Sequence, residues 1–172
     1  MFGQVSHETE VKVGAGKAWE LYGTLKLALL AKKEFSHIMV DILDGDGGVS
    51  TVIKITFGAL SYTEKYTKVD HERRVKETEA IEGGFLDMGL SLYRVRFQVI
   101  GKDEEESCMI KSTIEYEVPD GRRGFLRCLH HLDQAARGYP RSCQEAIRRP
   151  GRRRLNNRNK SIYSGASRPK IL

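Results

Sequence analysis

The sequence has few cysteines and no long run of apolar residues. Its three cysteines, Cys108, Cys128 and Cys143, are an odd number without metal-ligand spacing, which favours a reducing compartment over a disulfide framework. No stretch approaches the roughly 20 consecutive apolar residues that span a bilayer, and the first residues lack the basic and apolar regions of a secretory signal. We therefore expect a cytoplasmic protein, with the nucleus as the other location, and no membrane partner.

Hydrophobic residues make up 40% of the 172 residues, which is enough for one domain with a packed core. The charge is divided unevenly along the chain. Residues 119–172 hold 14 of the 29 basic and 3 of the 23 acidic side chains, so residues 1–118 are net acidic although the whole chain is +6. This division predicts a domain at 1–118 followed by an atypical Arg-rich tail at 119–172.

The tail has three interpretations. Phe125, Leu126, Leu129 and Leu132 recur at helical spacing, which predicts partial helix within 122–148, with disorder after 150. One interpretation is that this helix is an alternative lid, although its apolar stripe is short and we expect the cavity to be left open or poorly covered. The tail also has the composition of a splice variant or of a shifted reading frame. The third interpretation is a basic arm for nucleic acid, but we do not expect such a partner because the arginines lack interleaved aromatics.

Residues 1–118 are dominated by strand patterns. Polar and apolar residues alternate in seven segments, and apolar residues between the first and second segments recur at helical spacing instead, which predicts two short helices. The predicted strands are 5–13, 37–43, 50–57, 60–69, 73–81, 89–100 and 107–118. The absence of regular strand–helix alternation excludes a parallel nucleotide-binding sheet and predicts an α+β fold with a curved seven-stranded antiparallel sheet.

The last predicted strand shows the clearest alternation. Its even-numbered residues, among them Ile110, Ile114 and Tyr116, are mostly apolar, whereas the odd-numbered residues Lys111 and Glu115 are charged. This pattern is typical of an antiparallel strand with one buried face.

Two glycine motifs carry a family resemblance. Gly45-Asp46-Gly47-Gly48-Val49 lies in the first hairpin, and Ile81-Glu82-Gly83-Gly84-Phe85-Leu86 lies in the fifth strand. With the order of strands and helices, they resemble the major birch-pollen-allergen family of intracellular pathogenesis-related proteins, most of all its norcoclaurine synthases and phytohormone-binding members. The resemblance implies a helix-grip fold and a large apolar cavity closed by a C-terminal helix, which is atypical or missing in this sequence.

The resemblance also implies candidate catalytic residues. The Tyr-x-Glu motif of the synthases matches Tyr62 and Glu64, their lysine matches Lys76, and Val95 stands where they have an aspartate. The two-residue spacing places Tyr62 and Glu64 on one face of a strand. An amine and a carboxylate in an apolar cavity form a plausible acid/base pair, although an ordinary cross-strand ion pair has the same pattern.

Three functions follow from the resemblance. The leading one is binding of a small hydrophobic ligand, such as abscisic acid, cytokinin or a secondary metabolite, with the expected ligand-binding residues Tyr66, Tyr93, Val95, Phe97, Ile110, Ile114 and Tyr116. The alternative is a Pictet–Spengler condensation of an arylethylamine with an aldehyde. The third is a hormone-dependent inhibitor of a protein phosphatase, although the gate and latch motifs of such receptors are absent from the sequence.

The remaining predictions concern ligands and assembly. The glycine-rich loop formed by Gly45, Asp46, Gly47 and Gly48 has backbone amides of the kind that cradle a phosphate. A hairpin turn is the better interpretation, because no P-loop lysine or helix follows. The histidines show no metal-ligand spacing. We expect no metal, no cofactor and a monomer.

Overall fold

The computed structural model of the chain describes residues 1–119. Seven strands form one antiparallel sheet in the order β1-β7-β6-β5-β4-β3-β2. The strands are β1 (Phe2–Val11), β2 (Ile38–Asp44), β3 (Val52–Phe57), β4 (Leu60–Asp70), β5 (Val75–Gly83), β6 (Leu92–Ile100) and β7 (Cys108–Glu117). The predicted α+β class and seven-stranded sheet are therefore confirmed, whereas the predictions for the tail and the closing helix lie outside the described residues.

Two short helices connect β1 to β2, as the sequence predicts: α1 (Ala15–Tyr22) and α2 (Lys26–Glu34). Helix α1 begins after Gly14 and ends at Gly23, and it buries Ala18, Trp19 and Tyr22 on one face. Helix α2 is more exposed and buries Leu27. No helix within residues 1–119 has both the length and the apolar character needed to cross a membrane.

The core consists of two apolar clusters on the inner face of the sheet, the face that packs against the helices. One cluster joins α1 to Phe97, Val99 and Ile110. The other is centred on the tyrosines of β4, β6 and β7. Val69 and Val95 pack against both clusters, so the middle of β6 lies where the two meet.

The prediction that β7 is buried on one face only is wrong. Thr113 and Glu115 are on its outer face, yet they are 3% and 8% exposed. Arg94 and Arg96 of β6 extend across this face, and their guanidinium groups lie 3.1 and 3.4 Å from the Glu115 carboxylate. Long cationic side chains shield the backbone and the neighbouring residues with their stems, so charged residues can be covered on a face that the sequence pattern marks as solvated.

Candidate active site

Three polar side chains lie buried at the centre of the inner face. Glu64 on β4 is 8% exposed, and Lys76 and Thr78 on β5 are 2% and 4% exposed. Lys76 and Thr78 are two residues apart and so share one face of β5. Thr78 is opposite Tyr66 on β4 and Val95 on β6, which places this group in the middle of the sheet.

The amine of Lys76 is held between the sheet and the helices. Its Nζ atom donates a hydrogen bond to the carbonyl oxygen of Thr24, 3.1 Å away, in the connection between α1 and α2. The same nitrogen lies 4.6 Å from the centre of the Tyr66 ring, where a cation is attracted by the aromatic face. A carbonyl oxygen and an aromatic ring thus hold the amine of Lys76 in a buried position.

The Glu64 carboxyl group has a strongly altered acidity. Burial raises its pKa from 4.5 to about 7, although the charge of Lys76 and a hydrogen bond from Thr78 act in the opposite direction. The Thr78 hydroxyl donates to Oε2 of Glu64 at 3.3 Å. Near neutral pH the group is therefore present in both its acidic and its basic form, as a proton-transfer group requires.

Aromatic rings form the wall next to this pair. The Tyr62 and Tyr93 rings meet edge to face with centroids 6.3 Å apart, and the Phe85 ring is 4.7 Å from that of Tyr93. The space between the described side chains has a volume of about 40 Å³. Its described lining residues are Leu27, Ala28, Ile55, Tyr62, Glu64, Tyr66, Lys76, Thr78, Tyr93, Val95 and Phe97.

This volume is far below the roughly 300–1,000 Å³ of common small-molecule sites. The resemblance implied a large apolar cavity closed by a C-terminal helix; the residues after 119 lie outside the described part of the chain, so the size of the closed cavity stays a prediction. The described lining includes an amine and a carboxyl group.

The structure brings together most of the predicted site residues. Tyr62, Glu64 and Lys76 line the cavity with the predicted wall residues Tyr66, Tyr93, Val95 and Phe97. Ile110, Ile114 and Tyr116 are also buried, but they are in the packed clusters and are not among the lining residues described: Ile110 packs in the α1 cluster, and the other two pack in the tyrosine cluster.

Sequence reasoning missed four lining residues: Leu27, Ala28, Ile55 and Thr78. The alternation of side chains along a strand predicts that Thr78, which follows Lys76 by two residues, lies on the same face as Lys76. Parity in β3 similarly marks Ile55 as inward-facing. Nothing in the sequence shows which turn of α2 approaches the sheet, and so only the structure identifies Leu27 and Ala28 as lining residues.

Two glycines place Tyr62 in the wall. The backbone of Gly83 has a positive φ of 77°, and a Cβ atom there would lie 2.5 Å from the Ser61 carbonyl oxygen. A Cβ atom on Gly84 would lie 2.8 Å from the Tyr62 Cβ. The segment at Gly83 and Gly84 can therefore approach Ser61 and Tyr62 this closely only because neither glycine has a side chain.

We predict that Gly83→Ala destabilises the domain by about 2–4 kcal/mol, because it combines an unfavourable φ with a backbone clash. Gly58→Ala is the matched control. Gly58 has a positive φ of 58° but no atom within 4 Å of the added Cβ, so only about 1–2 kcal/mol is expected. Urea unfolding of the two variants measures the difference, and equal losses would contradict the role given to the Ser61 contact.

The backbone N–H groups of the glycine-rich loop donate hydrogen bonds to side chains in and next to the loop. The amide of Gly45 donates to Asp44, that of Gly47 to the Thr51 hydroxyl, and that of Gly48 to Asp46. The loop is therefore a self-capped hairpin turn. Its amides and nearby carboxylates do not offer the open, electropositive surroundings that a phosphate requires.

Known proteins resemble this chain in sequence. The model of the pathogenesis-related protein Bet v 1 family matches residues 1–123. Norbelladine synthase from Narcissus pseudonarcissus is 40% identical over 127 residues, which cover 70% of this chain and 77% of that protein. S-norcoclaurine synthase 1 from Papaver somniferum is 38% identical over 130 residues, which cover 72% of this chain but 56% of the poppy enzyme.

Solved structures of other proteins share the fold of this chain. The norcoclaurine synthase from Thalictrum flavum in complex with dopamine and hydroxybenzaldehyde superposes with a TM-score of 0.73 at 28% identity, covering 89% of this chain and 90% of that one. The structure of Ara h 8.0201 gives a TM-score of 0.70 at 16% identity, which supports the fold alone. The helix-grip fold predicted from the resemblance is therefore confirmed.

The chain belongs to the pathogenesis-related protein Bet v 1 family. Among the functions expected from the sequence, condensation has better support than hormone binding, because the relatives at about 40% identity are synthases. These matches give no support to abscisic acid binding or to hormone signalling.

Proposed function

We propose that this member of the Bet v 1 family condenses an arylethylamine with an aldehyde, with Lys76 and Glu64 as the proton-transfer groups and Tyr62 as a substrate-positioning residue. The observation that carries the proposal is a buried amine and a buried carboxyl group of near-neutral pKa in one aromatic-walled space. Perturbed ionisable groups of this kind are concentrated at catalytic sites.

The reaction releases one water molecule. The substrate nitrogen attacks the aldehyde carbon to form a carbinolamine, whose hydroxyl group leaves as water after it accepts a proton, and an iminium ion remains. A carbon of the electron-rich ring then attacks the iminium carbon. The ring carbon loses its proton to a base, which restores aromaticity and completes the Pictet–Spengler product. The reaction needs one acid and one base at different stages.

The two buried groups fit these stages. The Lys76 ammonium has protons to donate to the departing hydroxyl group, while Glu64 in its ionised form accepts the ring proton. The pKa of about 7 leaves a large fraction of Glu64 ionised at neutral pH. The Tyr62 ring, whose plane is nearly perpendicular to that of Tyr93, supplies an aromatic surface for the substrate.

Val95 replaces the second carboxyl group that the resemblance implies for the site. It is opposite Thr78 on β5 and Ile114 on β7, where the resemblance implies an aspartate. Among the described lining residues Glu64 is then the one carboxyl group. We propose that Glu64 both pairs with the cationic substrate and accepts the ring proton.

The test is incubation of the full chain with dopamine and an aldehyde, followed by chiral chromatography. Imine and cyclised product have the same mass, so cyanoborohydride is added to an aliquot: it reduces the imine and leaves the cyclised amine unchanged. We expect a cyclised product enriched in one enantiomer. A racemic product formed at the rate of buffer alone would overturn the proposal.

A further inference from the structure

We infer that Thr78 is a positioning residue for Glu64, whose carboxyl group its hydroxyl holds during proton transfer. This inference rests on the proposed function, since the relevance of Glu64 depends on it. The observation is the hydrogen bond from the Thr78 hydroxyl to Oε2 of Glu64, at 3.3 Å between two side chains that are both more than nine-tenths buried.

The position of Thr78 suits this role. It lies on the central strand β5 between Tyr66 of β4 and Val95 of β6, so its backbone is fixed from both sides. A β-branched side chain has few χ1 rotamers, and Thr78 is buried. The hydroxyl therefore has a defined direction, whereas the longer Glu64 side chain has three torsions to restrain.

The chemistry of a hydroxyl group suits a carboxyl group that changes its charge. Toward the carboxylate the hydroxyl donates, and toward the protonated acid it accepts, since a hydroxyl group carries one donor and two acceptor sites. The hydrogen bond to the charged form is the stronger of the two. Thr78 therefore restrains Glu64 in both states and favours the ionised state.

Within residues 1–119, the other ionisable groups that line this space with Glu64 are Lys76 of β5 and the tyrosines of the cavity wall, Tyr62, Tyr66 and Tyr93. The amine of Lys76 donates to the Thr24 carbonyl oxygen and lies over the Tyr66 ring. Its charge acts on Glu64 from that position, and the orientation of the carboxyl group is supplied by Thr78.

The experiment compares Thr78→Val with Thr78→Ser. Valine has the shape of threonine without the hydroxyl group, and serine restores the hydroxyl group. Thr63→Val is the matched control, because Thr63 is buried beside Glu64 on the other face of β4 and is 6% exposed. Two readouts are used: the pH profile of kcat/KM, and the ¹³C NMR titration of the Glu64 carboxyl carbon, assigned with Glu64→Gln.

In Thr78→Val we expect the Glu64 titration midpoint to rise by about one pH unit, as for loss of a hydrogen bond to a charged group. The acidic limb of the kcat/KM profile should move to higher pH by the same amount. The ionised fraction of Glu64 at pH 7 should then fall from about one half to about one tenth, so kcat/KM at this pH should fall about fivefold. Thr78→Ser should recover most of both effects, and Thr63→Val should match the wild type.

An unchanged Glu64 titration in Thr78→Val would overturn the inference, as would an equal shift in Thr63→Val. A shifted titration without any change in the pH profile of the active enzyme would also overturn it. If the wild type shows no condensation, the proposed function fails, and the NMR titration still decides whether Thr78 holds the Glu64 carboxyl group.

Discussion

We expect Lys76→Met to lower kcat/KM for condensation by at least about 100-fold, since a positioned general acid or base contributes roughly 10²–10⁴ in rate. Methionine keeps much of the volume and the flexible stem of lysine, so the packing against Tyr66 is largely preserved. What it removes is the proton donor, together with the hydrogen bond to the Thr24 carbonyl oxygen. Steady-state assays with dopamine and an aldehyde measure the loss.

The control for this variant is Lys54→Met. Lys54 is exposed on β3, opposite Asp41 of the edge strand, and its replacement should leave turnover at the wild-type value. The Glu64 titration gives a second check. The charge of Lys76 lowers the pKa of Glu64, so that pKa should rise in Lys76→Met. Equal turnover of the wild type, Lys76→Met and Lys76→Ala above background would exclude an acid role for Lys76.

The fold was predictable because the pattern repeats along each strand. Alternation fixed the seven strands to within a few residues, and the helical spacing of Trp19 and Tyr22 identified α1. The outer face of β7 was not predictable in this way. Arg94 and Arg96 bury Glu115 from a neighbouring strand, and such covering depends on strand pairing rather than on the sequence of β7.

The candidate site was predictable in part, because the alternation along each strand shows which side chains share a face. Parity placed Tyr62 and Glu64 on one face, but it does not tell a lining residue from a packed one. Ile110 has the correct parity, yet it packs beneath α1. The acidity of Glu64 likewise depends on burial and on Lys76, and these come from the assembled sheet and helices.

The second large effect concerns stability and pH. The difference in unfolding free energy between Glu64→Gln and the wild type should shift in favour of the variant by roughly 2–3 kcal/mol between pH 5 and pH 8.5. The pKa of Glu64 is about 7 in the folded protein and 4.5 as its ordinary value. Between these values the folded state holds a proton that the unfolded state has lost, so stability falls as pH rises through this window.

Glutamine cannot ionise, and so the variant avoids this loss. Each unit of pKa difference corresponds to about 1.4 kcal/mol, which gives the expected size. Urea unfolding of both proteins across pH 5–8.5 provides the measurement, and ionisable groups that do not interact with Glu64 cancel in the difference. Glu82→Gln, at an exposed position on β5, should show a constant offset from the wild type. A constant offset for Glu64→Gln would mean that Glu64 ionises in the folded protein as easily as in the unfolded chain, and the near-neutral base that the proposed reaction needs would be absent.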